Sequence, residues 1–144
     1  NSHPHIWVID ISNVYQSKPM YNTDQKEFYN MVIEIETNLT PMDLLNEISK
    51  IEVEMGRKKS IIKNLPRIID IDILAFGDLS IDTEILKVPH PKILERKFVL
   101  KPWNDISPDF FVVNYSTCVN KLLQNTLDNT KTPMLLIIDK EQML

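Results

Sequence analysis

The run His5–Tyr15 is dense in β-branched and aromatic residues and predicts a strand. Ser17-Lys18-Pro19 interrupts it, and Tyr21–Lys26 is polar and loop-like. Alternation resumes over Phe28–Thr37, a second strand. Tyr29, Met31, Ile33 and Ile35 line one of its faces, and Phe28, Asn30, Val32, Glu34 and Glu36 the other. Then the period changes: Leu44, Ile48, Ile51 and Met55 recur at helical spacing and predict a helix over Thr40–Met55. Thr40 suits its N-cap, Pro41 its first position and Asp43 its first turn, and Gly56 is placed to end it.

The stretch Asn64–Leu74 predicts a strand over its second half, closed by the turn signal Phe76-Gly77-Asp78. Ile69, Ile71 and Ile73 share one face of it, and Asp70 and Asp72 the other. Leu86–Val88 is a short strand, Lys92–Phe98 a helical turn, and Trp103–Phe110 a proline-bounded loop. Phe110–Asn114 is a short strand and Cys118–Leu127 an amphipathic helix. Met134–Ile138 reads as a strand with no obvious partner. The order β-β-α-β-β-α-β describes an α+β domain with a mostly antiparallel sheet.

Composition narrows the class. A length of 144 residues is one domain's worth of chain, and 43% hydrophobic content supports a core. A net charge of −4 argues against a nucleic-acid surface. No apolar run approaches a membrane span. The lone Cys118 excludes an internal disulfide, which suits a reducing, cytoplasmic compartment. Gly56 and Gly77 are the only glycines, so the chain has no glycine-rich phosphate loop; side chains and cations must hold any nucleotide.

The candidate chemistry lies in the Asp stretch. Asp70 and Asp72 would project side by side, roughly 7 Å apart along a strand. Such carboxylates repel each other unless a cation sits between them. Hard oxygen ligands suit Mg²⁺, and two such ions about 4 Å apart recur in phosphoryl chemistry. The same alternation also describes an ordinary sheet with one wet face. The basic run Arg57–Lys63 before it offers cations to phosphate oxygens, or is a solvated loop. Pro89 and Pro91 flank His90 and restrict where its imidazole points.

Several ordered motifs carry a resemblance. They are Pro66-Arg67-x-x-Asp70-x-Asp72-Ile73-Leu74, Val88-Pro89-His90-Pro91 and Glu95-Arg96-x-Phe98-Val99-Leu100-x-Pro102. Upstream stand Tyr15-x-Ser17-x-Pro19-Met20-Tyr21, Phe28-x-Asn30, Glu36-Thr37-x-Leu39-x-Pro41-x-x-Leu44-Leu45 and Ile51-Glu52-x-x-x-Gly56-Arg57. In these the chain resembles the 6-hydroxymethyl-7,8-dihydropterin pyrophosphokinase family over Val8–Pro108. The resemblance implies a ferredoxin-like α+β sandwich that transfers pyrophosphate from ATP to the hydroxymethyl group of a reduced pterin, releasing AMP. It implies that Asp70 and Asp72 hold two Mg²⁺ ions, and that Arg57 and Lys59 lie on a loop closing over the triphosphate. Glu52, Lys63, Arg67, Ile73, His90 and Arg96 would bind ATP. Phe28 and Phe98 would stack on the pterin and Asn30 would read its polar edge, with Ser17, Lys18, Pro19 and Met20 completing the pocket.

The chain departs from the family pattern at three points. It lacks the family's opening strand with its Gly-Ser-Asn end and the helix after it. Leu65 replaces a usual glycine, and the tail beyond Leu127 has no counterpart. The expected organisation is an N-terminally incomplete pyrophosphokinase domain over residues 1–130, then a tail or linker over 131–144. That tail would lead toward a fused dihydropteroate synthase. The competing reading is a non-catalytic ferredoxin-like binding module or an inactive remnant of the enzyme.

Overall fold

The computed structural model describes residues 3–17, 28–57, 70–126 and 134–138. Each of the two predicted N-terminal strands is bent in the middle. Strands β1 (Ile6–Ile11) and β2 (Val14–Ser17) take the place of His5–Tyr15, and β3 (Phe28–Asn30) and β4 (Ile33–Thr37) that of Phe28–Thr37. β1 pairs antiparallel with β4 and β2 with β3, so the four make one long pair with a corner. Ser12 makes the corner. Its N–H donates to the Val32 carbonyl at 2.8 Å, and its Oγ accepts from the Val32 N–H at 2.8 Å and donates to the Asn13 carbonyl at 2.8 Å. A serine hydroxyl offers the backbone partners outside a regular ladder, which is why alternation alone overran this point.

Ile9 is an extra residue between the pairs Val8↔Ile35 and Asp10↔Glu34. The bulge bends β1, and on the other strand the corner at Met31 and Val32, between β3 and β4, interrupts the face parity. Val32 and Ile35 reach cores, while Tyr29, Met31 and Ile33 are exposed, although one face was expected to carry Tyr29 through Ile35 together. Ser12 is fully buried. Ser12→Ala would strand the Val32 N–H, so it should cost about 1–3 kcal/mol. Urea unfolding checks this; a loss below about 0.5 kcal/mol, ordinary for a surface change, would mean the hydroxyl does not hold the corner.

Strand β9 (Met134–Ile138) pairs antiparallel with the free side of β2, giving the order β3-β2-β9. The apparently partnerless tail strand thus belongs to this sheet. Helix α1 (Pro41–Arg57) starts where expected: the Asp43 N–H donates to Thr40 Oγ1 at 3.2 Å. It passes through Gly56, which keeps a negative φ and does not terminate it. Leu44 and Ile48 bury against Ile6, and Met55 is exposed.

The Asp70–Phe76 segment joins no ladder among the described residues, so the predicted strand is not observed there; residues 64–69 lie outside the described residues. Its alternation nevertheless holds. Ile71, Ile73 and Phe76 pack on the α1 core, Leu74 and Ala75 on a second core, and Asp70 and Asp72 are exposed. Gly77 turns the chain at φ +56°. Strand β5 (Ile81–Asp82) pairs with β6 (Lys87–Val88).

The second core is built by helices. Helix α2 (Lys97–Ile106) covers half of the predicted Trp103–Phe110 loop, with Pro102 inside it. Proline in a helix interior costs about 3 kcal/mol. Leu100, Pro102 and Trp103 are all buried there, and a buried large side chain contributes about 1.5–3 kcal/mol, so packing outweighs the breaker. Trp103 also meets the Phe110 ring at 5.5 Å between centroids. Strand β7 (Phe111–Val112) pairs with β8 (Thr117–Cys118), and helix α3 (Val119–Gln124) closes the core with Val119 and Leu122. The described architecture is mixed α+β, and every described strand pair is antiparallel.

Candidate active site

The two exposed aspartates flank an anchored peptide. Glu52, near the end of α1, accepts the Ile71 N–H on Oε2 at 2.8 Å. This carboxylate ties the helix to the amide between Asp70 and Asp72 and is not simply solvated. On the other side, Asp72 Oδ2 lies 3.6 Å from an Arg96 guanidinium nitrogen, with the two side chains 54% and 28% exposed. Arg96 stands between the 3₁₀ turn Ile93–Glu95 and the start of α2. Its guanidinium carbon sits 5.7 Å from the centroid of the Phe98 ring, a cation–π contact. The segment, the turn and α2 thus bring Glu52, Asp72, Arg96 and Phe98 into one chain of contacts.

His90 joins this group. Its N–H donates to the Leu74 carbonyl at 2.8 Å, two residues beyond Asp72. Its Nδ1 accepts the Lys92 N–H at 3.1 Å, so a neutral ring carries its proton on Nε2. Burial pushes the imidazole below its ordinary pKa, the Arg96 charge adds to this, and Asp72 opposes it. His90 is therefore a neutral Nε2–H donor near neutral pH.

This shift has a consequence for stability. With the folded pKa depressed, the unfolded chain binds the proton first as pH falls. Stability is then complete above the ordinary imidazole pKa and declines as pH drops through it toward the folded value. His90→Asn should flatten that decline. Urea unfolding from pH 7.5 to about 5 measures it, and equal slopes in the two proteins would contradict the assignment.

The donor chemistry fits Mg²⁺. No cluster of three or more His, Cys, Asp or Glu able to hold a metal occurs among the described residues. Mg²⁺ needs no such cage: it takes one or two carboxylates together with waters and phosphate oxygens. Asp70 and Asp72, exposed on a segment held from both sides, would supply such a pair.

The remaining expected residues fall as follows. Ile73 is half-buried in the α1 core. Asn30 is half-buried on β3, across the ladder from Tyr15. Ser17 and Phe28 pair with each other through their backbones, and Arg57 is the last residue of α1; the side chains of these three are outside the description. Lys18, Pro19, Met20, Lys59, Lys63 and Arg67 lie outside the described residues.

Sequence reasoning missed one polar cluster. Asp105 Oδ2 accepts from Tyr15 Oη at 2.7 Å and from Asn13 Nδ2 at 3.0 Å. Asp105 falls in a stretch read as loop, so no helical face was available to place it.

These features define an α+β domain that presents an acidic pair beside an arginine, a neutral histidine and a stacked phenylalanine. The sequence profile of the family described as 7,8-dihydro-6-hydroxymethylpterin-pyrophosphokinase (HPPK) matches residues 2–108. The chain belongs to this family. It is 42% identical over 137 residues to the folic acid synthesis protein fol1 of Pneumocystis carinii, covering 95% of this chain and 18% of that one. The Schizosaccharomyces pombe fol1 is 46% identical over 104 residues, 72% of this chain and 14% of its own. The Bacillus subtilis 2-amino-4-hydroxy-6-hydroxymethyldihydropteridine pyrophosphokinase is 42% identical over 106 residues, 74% of this chain and 63% of its own. The chain thus spans under a fifth of the two fol1 proteins and under two thirds of the Bacillus subtilis enzyme. No described helix is long and apolar enough to cross a membrane.

Proposed function

We propose that the chain transfers the pyrophosphoryl group of ATP to the hydroxymethyl oxygen of 6-hydroxymethyl-7,8-dihydropterin, giving AMP and the pterin diphosphate for folate synthesis. One observation carries the reading: Asp70 and Asp72 stand exposed on a segment pinned by Glu52, with Arg96 and His90 beside Asp72. The pterin hydroxyl oxygen forms the new bond to the β-phosphorus. The bond from that phosphorus to the α–β bridging oxygen breaks, AMP leaves, and the hydroxyl proton passes to solvent. Two Mg²⁺ ions held by Asp70 and Asp72 would supply charge neutralisation on the phosphates. Arg96 and the Nε2–H of His90 bind phosphate oxygens or nucleotide, as would Arg57, Lys59, Lys63 and Arg67. Glu52 and Ile73, the latter with its side chain in the α1 core, would also line the ATP site. Phe98, with Phe28, stacks on the ring, and Asn30, with Ser17–Met20, meets its edge. Catalysis is by positioning and electrostatics, without a covalent enzyme intermediate.

The larger setting belongs to the same reading: a ferredoxin-like sandwich working in the cytoplasm, joined to dihydropteroate synthase in a longer polypeptide. The two fol1 relatives are several times longer than the part this chain matches, which supports a longer polypeptide. The test is chromatographic. The protein with ATP, Mg²⁺ and the reduced pterin should release AMP and pterin diphosphate in equal amounts, and chelation should stop both. Release of ADP in place of AMP would overturn the pyrophosphoryl transfer in favour of a single-phosphoryl transfer, and no nucleotide turnover at all would favour a non-catalytic binding module.

A further inference from the structure

The Asp105 cluster links two parts of the molecule that the proposed pocket needs in register. β2 and β3 form the far half of the bent hairpin, which carries Phe28 and Asn30. α2 carries Phe98 as its second residue. Asp105 lies seven residues after Phe98 on the same helix. Seven residues are nearly two turns, so both fall on one stripe of α2, about 10 Å apart along its axis. Across the gap, Tyr15 is the ladder partner of Asn30. One carboxylate oxygen of Asp105 accepts both Tyr15 Oη and Asn13 Nδ2, and so grips β2 and the corner before it.

We propose that Asp105 is a positioning residue: by accepting from Tyr15 and Asn13 it fixes the β2–β3 arm against α2 and thereby sets the separation between Asn30 and Phe98. This rests on the assignment of the pterin pocket to those residues. The helix and the arm also pack directly on each other, but packing between apolar surfaces tolerates sliding, whereas two directional bonds to one oxygen do not. Charge-assisted bonds are about twice as strong as neutral ones. Burial, and next the hydrogen bond to Asp105, hold the Tyr15 phenol above its ordinary pKa, so it remains a donor at physiological pH. Neither Asp105 nor Tyr15 is asked to touch the reacting atoms. Their loss should blur the pocket without touching the nucleotide site.

The experiment is a titration of a non-reactive pterin analogue into the full protein with saturating Mg²⁺ and a non-hydrolysable ATP analogue, with nucleotide affinity measured separately. Asp105→Ala and Tyr15→Phe should each weaken pterin binding about ten-fold, the scale of one or two lost hydrogen bonds. Nucleotide affinity should stay within about two-fold. Asp105→Asn keeps an acceptor at the same place and should recover most of the loss, which general destabilisation would not predict. Tyr15→Phe removes one hydroxyl and keeps the ring, so it reports even if Asp105→Ala folds poorly. Wild-type pterin affinity in Tyr15→Phe, or an equal fall in pterin and nucleotide affinity, overturns the clamp. Failure of the wild-type protein itself to bind the pterin overturns the pocket assignment along with it.

Discussion

Asp70→Asn and Asp72→Asn should each reduce turnover about a thousand-fold or more while leaving the fold intact. Each change keeps shape and removes a charge that the proposed Mg²⁺ ions need. Metal-assisted stabilisation of a phosphoryl transition state is worth several kcal/mol, and every 1.4 kcal/mol is about ten-fold in rate. The structural cost is small by comparison. Both carboxylates are exposed, and an exposed pair such as Asp72–Arg96 contributes about 1 kcal/mol or less. The segment's anchors are the Glu52 bond to the Ile71 amide, the His90 bond to the Leu74 carbonyl and the burial of Ile71 and Ile73, and none of these is touched. Rate and melting temperature should therefore separate. Near-normal AMP release by either variant at ordinary Mg²⁺ would remove the two-metal assignment.

The second large effect belongs to the pterin pocket. Phe98→Ala should weaken binding of a pterin analogue by about 1–3 kcal/mol, through lost stacking and burial. Phe98 also lies beneath the Arg96 guanidinium, and a cation–π contact at a partly exposed site is worth about 0.5–1 kcal/mol. Nucleotide binding should consequently fall by no more than that smaller amount. Asn30→Ala should weaken the pterin too, by leaving a polar ring edge unpaired. Calorimetric titration of wild type, Phe28→Ala, Phe98→Ala and Asn30→Ala, each saturated with Mg²⁺ and ATP analogue, decides the matter. If all three variants match wild type, the pterin binds elsewhere.

Periodicity along the chain determined a good deal by itself. The Thr40 cap, the α1 helix, the outward Asp70 and Asp72 and the inward Ile71 and Ile73 are all local consequences of spacing, because a side chain's face follows from its neighbours in sequence. The motifs carried the family on the same footing. What tertiary structure alone decided involves partners distant in sequence. The corner at Ser12 depends on Val32, twenty residues away, so an alternating pattern had no means of marking it. Nothing in the helical spacing marks Glu52 as the acceptor of the Ile71 N–H, nineteen residues on, which only folding brings to it. α2 persists through Pro102 because the core formed by Ile93, Leu100, Trp103, Val112, Val119 and Leu122 outweighs proline's local penalty. Met134–Ile138 gained its partner in β2 across more than a hundred residues of chain. Asp105 found Tyr15 and Asn13 the same way: a hydrogen bond is directional and short, and its geometry exists only after the helix and the hairpin have packed.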